Sequence, residues 1–398
     1  RSPMDLEQAT ALAGALGVPL SALLPEEISL PYQIVRSDGP RAGALRRTSL
    51  VGSDGRTAWH PNPFYPLADL FVGRHLEPLF IRTEPPRHAA APMLFAHHEQ
   101  EFLSVLHGQI EFLIDTPAKR VRLELRQGDS IAFWSCLPHL AQSLDGKPAE
   151  TLNVYVSSPG FPESGPFWLR PPSGSVLERG MDRAQLVGRR IRRLRGSAGL
   201  TTAELAGKLG VKPRRLQLAE EGTRTLPIEA LLQLSRFFAH PLRELIGESA
   251  RPPYYSVVRS EDIRKLPALT RRGLHAPPVT PDAPIFRPLA GGFPDRRMLP
   301  VMVEVQGTDA GPAPMHEHHG EEFLYVFEGR LELTIRVGGN EVTEVLRSGD
   351  SCYLDSSVPH SLHSHGHNPH SDTAVQALSV FWSPLGEDYL FVTDPASH

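Results

Sequence analysis

Cysteine is scarce: the 398 residues hold two, Cys136 and Cys352, and neither belongs to a CxxC pair. That excludes a disulfide framework and a thiolate metal site, and fits a reducing cytoplasm. Long apolar runs are missing too; none approaches the roughly 18 residues of a membrane span. The opening residues Arg1-Ser2-Pro3-Met4-Asp5 lack the basic-then-apolar order of a secretory signal. The expectation is a cytoplasmic protein with no membrane partner. Charge of one sign is also lacking. Lys and Arg number 41 against 45 Asp and Glu, a net charge of −4, so no global field draws the chain onto nucleic acid. Turn residues, in contrast, are plentiful: 39 prolines and 33 glycines suit short-stranded β structure. The length suits about two to four domains.

The chain is internally repeated. Glu101 to Gly108 (EFLSVLHG) returns as Glu322 to Gly329 (EFLYVFEG), 221 residues on. Gly128-Asp129-Ser130 returns as Gly349-Asp350-Ser351, and Pro138-His139 as Pro359-His360, at the same offset of 221. Tyr32 to Ser37 (YQIVRS) returns as Tyr255 to Ser260 (YSVVRS), and Leu6 to Leu24 reads like Ile228 to Ile246. The repeat unit is a helical segment followed by a β-rich segment. Four domains are expected: a partial helical domain over 1–27, a β domain over 28–175, a full helical domain over 181–249 and a second β domain over 250–398. The first helical copy reads as the last two helices of the second, so a shortened N-terminus is expected.

The full helical segment begins with an arginine-rich helix over Asp182 to Arg195, with Gly196 as its stop. Thr201 and Glu204 have the spacing of a capping box, and Lys212 to Glu221 reads as a third helix ended by Gly222. Leu231, Leu234, Phe237 and Phe238 make an apolar stripe. Short helices with tight turns read as helix-turn-helix. Two runs carry the chemistry of the β segments. In the second half His316, His318 and Glu322 precede and enter a strand, and His360 follows Pro359. Residues at even separations on a strand share a face, which brings His318 and Glu322 together with His316 beside them. In the first half His97, Glu101 and His139 take the corresponding places, and Phe95 stands where His316 would be. Two imidazoles and a carboxylate suit Fe(II), Mn(II) or Zn(II), with Ni(II) a further candidate. The first set is a bare 2-His-1-carboxylate triad; the second carries a fourth candidate ligand. His98 and His319 are expected to point outward. His363, His365, His367 and His370 read as a solvated loop.

The spacing H-x-H-x3-E-x6-G, followed by a later G and P-H, resembles the cupin pattern. The run Ala203 to Val211 (AELAGKLGV) resembles the DNA-binding domain of XRE regulators. In such a domain Arg214, Arg215 and Gln217 would lie on the recognition helix. The alternative for that module is packing and oligomerisation without DNA. Helical and barrel segments in tandem resemble two groups: the XRE–cupin transcription regulators, and the non-haem iron phosphonate enzymes (hydroxypropylphosphonate epoxidase, hydroxyethylphosphonate dioxygenase, methylphosphonate synthase). The fold implied is mainly β with α modules, a bicupin of two β-barrels, each preceded by an XRE-type helical domain. The resemblance to the phosphonate enzymes implies an Fe(II)-dependent oxygenase or oxidase, dioxygenase- or epoxidase-like, with dioxygen or peroxide as oxidant. Its substrate would be a small anionic metabolite such as a hydroxyalkylphosphonate, held by Arg56, Tyr65 and Arg271. The chain departs from those enzymes at Leu94 and Met315, where they carry asparagine, and at Gly199, where they carry lysine. The alternative function is an XRE-family cupin regulator that binds DNA and senses a small ligand or metal. Either way a homo-oligomer is expected.

Overall fold

The computed structural model of the chain describes residues 31–38, 49–51, 57–59, 62–68, 71, 74–85, 93–96, 100–156, 183–238, 242–246, 252–271, 284–293, 296–306, 315–365, 374–383 and 391–393. The partial helical domain expected over 1–27 lies outside them. In chain order the strands are Tyr32–Val35 (β1), Ser49–Val51 (β2), Thr57–Trp59 (β3), Phe64–Pro66 (β4), Leu76–Thr83 (β5), Gln100–His107 (β6), Gln109–Asp115 (β7), Arg120–Arg126 (β8), Ser130–Trp134 (β9), His139–Ser143 (β10) and Ala149–Val156 (β11). Five helices follow: Arg183–Ser197 (α1), Thr202–Lys208 (α2), Pro213–Glu220 (α3), Ile228–Phe237 (α4) and Leu242–Leu245 (α5). The second β region holds Tyr255–Val258 (β12), Leu269–Arg271 (β13), Ile285–Pro288 (β14), Leu299–Val305 (β15), Glu321–Glu328 (β16), Arg330–Val337 (β17), Asn340–Arg347 (β18), Ser351–Asp355 (β19), His360–Ser364 (β20), Val375–Trp382 (β21) and Phe391–Thr393 (β22).

Each barrel is a large antiparallel sheet facing a small one. The first pairs β9-β6-β11-β5-β4 with β10-β7-β8, and the second pairs β19-β16-β21-β15-β14-β13-β22 with β18-β17-β20. The central strands are buried on both faces. In β6, Phe102 turns to a core shared between the barrels, with Trp134, Phe323 and Tyr353. Its neighbour Leu103 turns into the first barrel, with Phe112 and Phe133. The two barrels therefore stand back to back on their large sheets.

The leading strand of each β region crosses to the other barrel. β12 pairs antiparallel with β9, and β1 pairs antiparallel with β19. The expected boundaries at 28 and 250 would keep each leading strand with its own barrel; the hydrogen bonds do not. The cause is a socket at each Gly-Asp-Ser. Asp350 accepts from the backbone of Ser37 at 2.8 Å and of Arg347 at 2.9 Å, and from the Arg36 guanidinium at 3.1 Å. Asp129 accepts from the backbones of Ser260 and Arg126 at 3.0 Å, and from Arg259 at 2.7 Å. The glycines of the sockets are required twice over. Gly128 and Gly349 have φ of +85° and +88°, and a Cβ on either would lie 2.9 Å from the Cβ of Ser260 or Ser37. So the YxVVRS-type run and the Gly-Asp-Ser run are two halves of one clasp, closed in trans.

Between the barrels in chain order, α1 to α5 enclose a core of their own around Ile191, Leu205, Leu216 and Leu234. Thr201 and Glu204 form the expected capping box. α1 runs through Gly196 instead of stopping there. The helix ends where Leu200 N–H donates to Arg195 O at 3.1 Å, with Gly199 in the left-handed conformation at φ +64°. That is a glycine-capped C-terminus, and Gly199 is the residue whose backbone needs it. Arg195 clamps the buried Glu220 through two bonds of 2.6 and 2.8 Å, tying α1 to α3.

Candidate metal centre

In the second barrel the ligating atoms of His318, Glu322 and His360 lie within 4.8 Å of one another. Glu322 sits on β16 across from Phe381 of β21 and is fully buried. His360 opens β20, where it exchanges two 2.9 Å backbone bonds with His316. His318 lies just before β16 and is held by its backbone, which donates to Ser356 O at 2.9 Å. It therefore reaches the site from the entry loop, not by strand alternation. Both imidazole Nε2 atoms stand 3.5 Å from Glu322 Oε2. His360 Nδ1 lies 2.8 Å from Val358 O. A carbonyl only accepts, so the proton sits on Nδ1 and Nε2 presents its lone pair to the site. The second Glu322 oxygen accepts from Ser379 Oγ at 2.6 Å. Burial opposes charge on Glu322, but imidazoles protonated at Nε2 outweigh it and hold the carboxyl well below its usual range; a bound metal would take the place of those protons. Glu322 Oε2 and His360 Nε2 are buried without a hydrogen bond. A charged oxygen and an imidazole lone pair that converge in this way fit a divalent transition metal.

His316 stands beside this group, its ring centroid 4.2 Å from that of His360, but outside the set that meets within 4.8 Å. His319 is exposed.

The first barrel repeats the arrangement as far as it is described. Glu101 and His139 are buried, with His139 Nε2 3.4 Å from Glu101 Oε2. His139 Nδ1 lies 2.8 Å from Leu137 O, so the same tautomer results. Asn153 donates to the other Glu101 oxygen at 2.5 Å, and Thr151 donates to Asn153 at 2.7 Å. Phe95 bridges to His139 as His316 does to His360, which places a phenyl ring where the second barrel has its extra imidazole. His97 and His98 lie outside the described residues. A cavity of about 40 Å³ opens beside the pair, with Thr83, Glu101, His139, Thr151, Asn153 and Tyr155 among its lining. Burial, reinforced by Glu101 and Glu77, pushes the Tyr155 phenol well above its ordinary value, so it remains protonated.

Of the expected substrate residues, Arg56 lies outside the described residues, as does the side chain of Arg271. Tyr65 packs edge-on against Phe80, 5.8 Å between centroids, on the side of the inter-barrel core. It does not line the cavity. Arg214, Arg215 and Gln217 are exposed on α3, where Gln217 donates to Glu221 at 3.0 Å. Cys352 is buried, which pushes its thiol up and leaves it inert. Ser379 and Asn153 were missed from sequence. Their signal is a lone polar residue inside an apolar strand, Leu378-Ser379-Val380 and Leu152-Asn153-Val154.

Residues 301–375 match the cupin domain family and residues 186–245 a helix-turn-helix domain family. The fold is a bicupin with a helix-turn-helix domain between its barrels. A Pyrococcus horikoshii protein named as an HTH-type transcriptional regulatory protein is 32% identical over 102 residues, which is 26% of this chain and 32% of that relative. The match thus spans about a third of the relative's length. Streptomyces albus HEPD, solved with its substrate 2-hydroxyethylphosphonate and Fe(II) bound, superposes with a TM-score of 0.51 at 16% identity, over 98% of this chain and 85% of that one. At that identity the likeness speaks for the fold alone. Bacillus subtilis oxalate decarboxylase, known for its Mn(II) centres, covers 99% of this chain and 86% of its own at 17% identity, with a TM-score of 0.45. That superposition is too loose to argue from. No helix of the described residues is long and apolar enough to cross a membrane.

Proposed function

We propose that the chain is a mononuclear non-haem iron cupin oxidoreductase, an oxygenase or oxidase of a small metabolite. The observation that carries this is the convergence of His318, Glu322 and His360 on one point, matched in the first barrel by Glu101 and His139. His97 completes that first set in the proposal. A bound Fe(II) would supply the redox chemistry that activates dioxygen; zinc, manganese and nickel suit the same donors. The chain's own residues do the rest. Val358 and Leu137 carbonyls hold the imidazole protons away from the site. Ser379 and Asn153 fix the carboxylates. The anionic class expected of the substrate gains no support from the described cavity lining, which holds no arginine or lysine.

The test is anaerobic Fe(II) loading followed by exposure to dioxygen, with His139→Ala and His318→Ala beside the parent. Iron that binds and consumes dioxygen, with the reaction lost in one variant, supports the reading and names the working barrel. Zinc held in both barrels with no dioxygen reactivity under any loading would refute it.

One observation favours a second reading. Arg214, Arg215 and Gln217 project from α3 into solvent, where a recognition helix of a DNA-binding dimer would present them. Failure to retard the protein's own upstream DNA at low salt, where non-specific binding is strongest, would exclude a regulator.

A further inference from the structure

The duplication supplies an internal control. Both barrels keep a carboxylate, an imidazole and a neutral residue holding the carboxylate, so the shared site explains those. Positions that differ in polarity answer to something else. The strand registers align the walls. Tyr155 faces Glu101 where Phe381 faces Glu322, and Thr151 faces Val105 where Ala377 faces Val326. On the next strand, Thr83 stands where the second barrel has Val305, and Glu77, across from Tyr155, where it has Leu299. Each exchange puts oxygen in the first barrel where the second has hydrocarbon.

Packing follows. The second barrel's interior is one continuous apolar cluster that includes Phe286, Leu333 and Phe381. The first barrel's interior falls into three clusters, with the cavity among them. The second barrel folds without these oxygens, and burying them is unfavourable unless they are satisfied. Thr83 is only 1% exposed, lines the cavity, and has a buried Oγ1 with no hydrogen-bond partner. Native chains leave few such groups without a purpose.

We propose that the first barrel's cavity is a binding chamber for a small, uncharged, hydrogen-bonding organic molecule of diol size, selected by Thr83, Thr151 and Tyr155. Among the described residues the side chains that line the cavity offer neutral hydroxyls and no arginine or lysine, so the wall itself recognises a ligand by hydrogen bonds and not by ionic pairing. The 40 Å³ is room for about three waters, which a ligand of a few non-hydrogen atoms would displace. Glu101 and His139 set that ligand beside the metal donors, so the inference deepens the function proposed above and rests on it.

The test uses the full chain loaded with Co(II), whose visible bands report ligands near the metal. The probes are propane-1,2-diol and 2-hydroxyethylphosphonate. The variants act at Thr83, whose hydroxyl has no partner, unlike that of Thr151, which supports Glu101 through Asn153: Thr83→Val copies the second barrel into the first, and Thr83→Ser keeps the hydroxyl. The diol is expected to perturb the bands of one cobalt, and the phosphonate to bind about tenfold more weakly. Thr83→Val should weaken the diol by about tenfold, as a lost hydrogen bond requires, with its cobalt content unchanged, and Thr83→Ser should bind the diol as the parent does. Thr83→Val should melt no lower than the parent, because it removes a hydroxyl that has no partner; a structural hydroxyl would give a lower melting temperature. The inference is overturned by a parent that ignores the diol, by an unchanged response in Thr83→Val, or by phosphonate binding as tight as diol binding. A Thr83→Val variant that loses cobalt would also overturn it, since the hydroxyl would then serve the metal site and not a ligand. Diol binding as expected in a protein whose iron form never consumes dioxygen would keep the chamber and reject the oxygenase.

Discussion

The crossing of β1 onto β19 can be measured as a coupling between Arg36 and Asp350, 314 residues apart. Arg36 reaches Asp350 at 3.1 Å, Glu344 at 2.7 Å and Val345 O at 2.5 Å. The Asp350 side chain is 3% exposed and that of Arg36 36%. A hydrogen bond to a charged group contributes about 1.5–3 kcal/mol when shielded. Because the guanidinium is about a third exposed, solvent screening reduces the expected coupling to about 1 kcal/mol. The assay is urea unfolding, chosen over guanidinium because it adds no salt, on Arg36→Ala, Asp350→Ala and the double variant. A parallel cycle pairs Arg36→Ala with Asp129→Ala, the partner Arg36 would have if each strand stayed with its own barrel. Coupling with Asp350 and additivity with Asp129 are expected. Additivity in the first cycle to within about 0.5 kcal/mol, with coupling in the second, would refute the exchange.

Three further outcomes are expected. Burial works against charge on Asp350, but bonds from Arg347, Ser37 and Arg36 overcome it and lower its pKa. That stabilisation is complete above the unfolded value of about 3.9 and is lost as pH falls through the lower folded value. Urea midpoints of the parent should thus converge with those of Asp350→Asn in acid; a constant gap would reject the cause. Ser379→Ala removes the bond to Glu322 and should weaken metal binding by about 10–100-fold in competition with a chelator, while an unchanged affinity would show that Ser379 does not orient the carboxylate. Glu220→Ala strands the Arg195 guanidinium between α1 and α3 and should destabilise the helical domain by about 3 kcal/mol, read as lost helical signal at a lower temperature; a change under about 0.5 kcal/mol would mean that solvent replaces the clamp.

What the sequence made legible was local chemistry. His318, Glu322 and His360 were readable because coordination demands donors at fixed spacing, and Thr201 with Glu204 because a helix start demands a cap. β6 was readable as a strand by length and bounding turns, not alternation, since Phe102 and Leu103 enter different cores. The helix end at Gly199 was mistaken for Gly196 because both are glycines near the end of one amphipathic run. Only the backbone distinguishes the one with positive φ. The trans clasp was illegible in principle. The Arg-Ser and Gly-Asp-Ser runs occur in both halves, and nothing local says which copy meets which. The unequal walls were hidden by loop length. Thr83 and Val305 stand 222 apart, but Thr151 and Ala377 stand 226 apart, so one sliding offset does not align them.

The crossed strands also bear on how such a chain can be divided. Either half alone would carry a strand with no groove to enter and a groove with no strand to fill it. A lone half could satisfy both only by taking a second copy of itself, giving a domain-swapped dimer. In those terms the present chain is such a dimer with its two members tied end to end. The tie frees them to differ, so that one wall could carry Thr83, Thr151 and Tyr155 while the other kept Val305, Ala377 and Phe381.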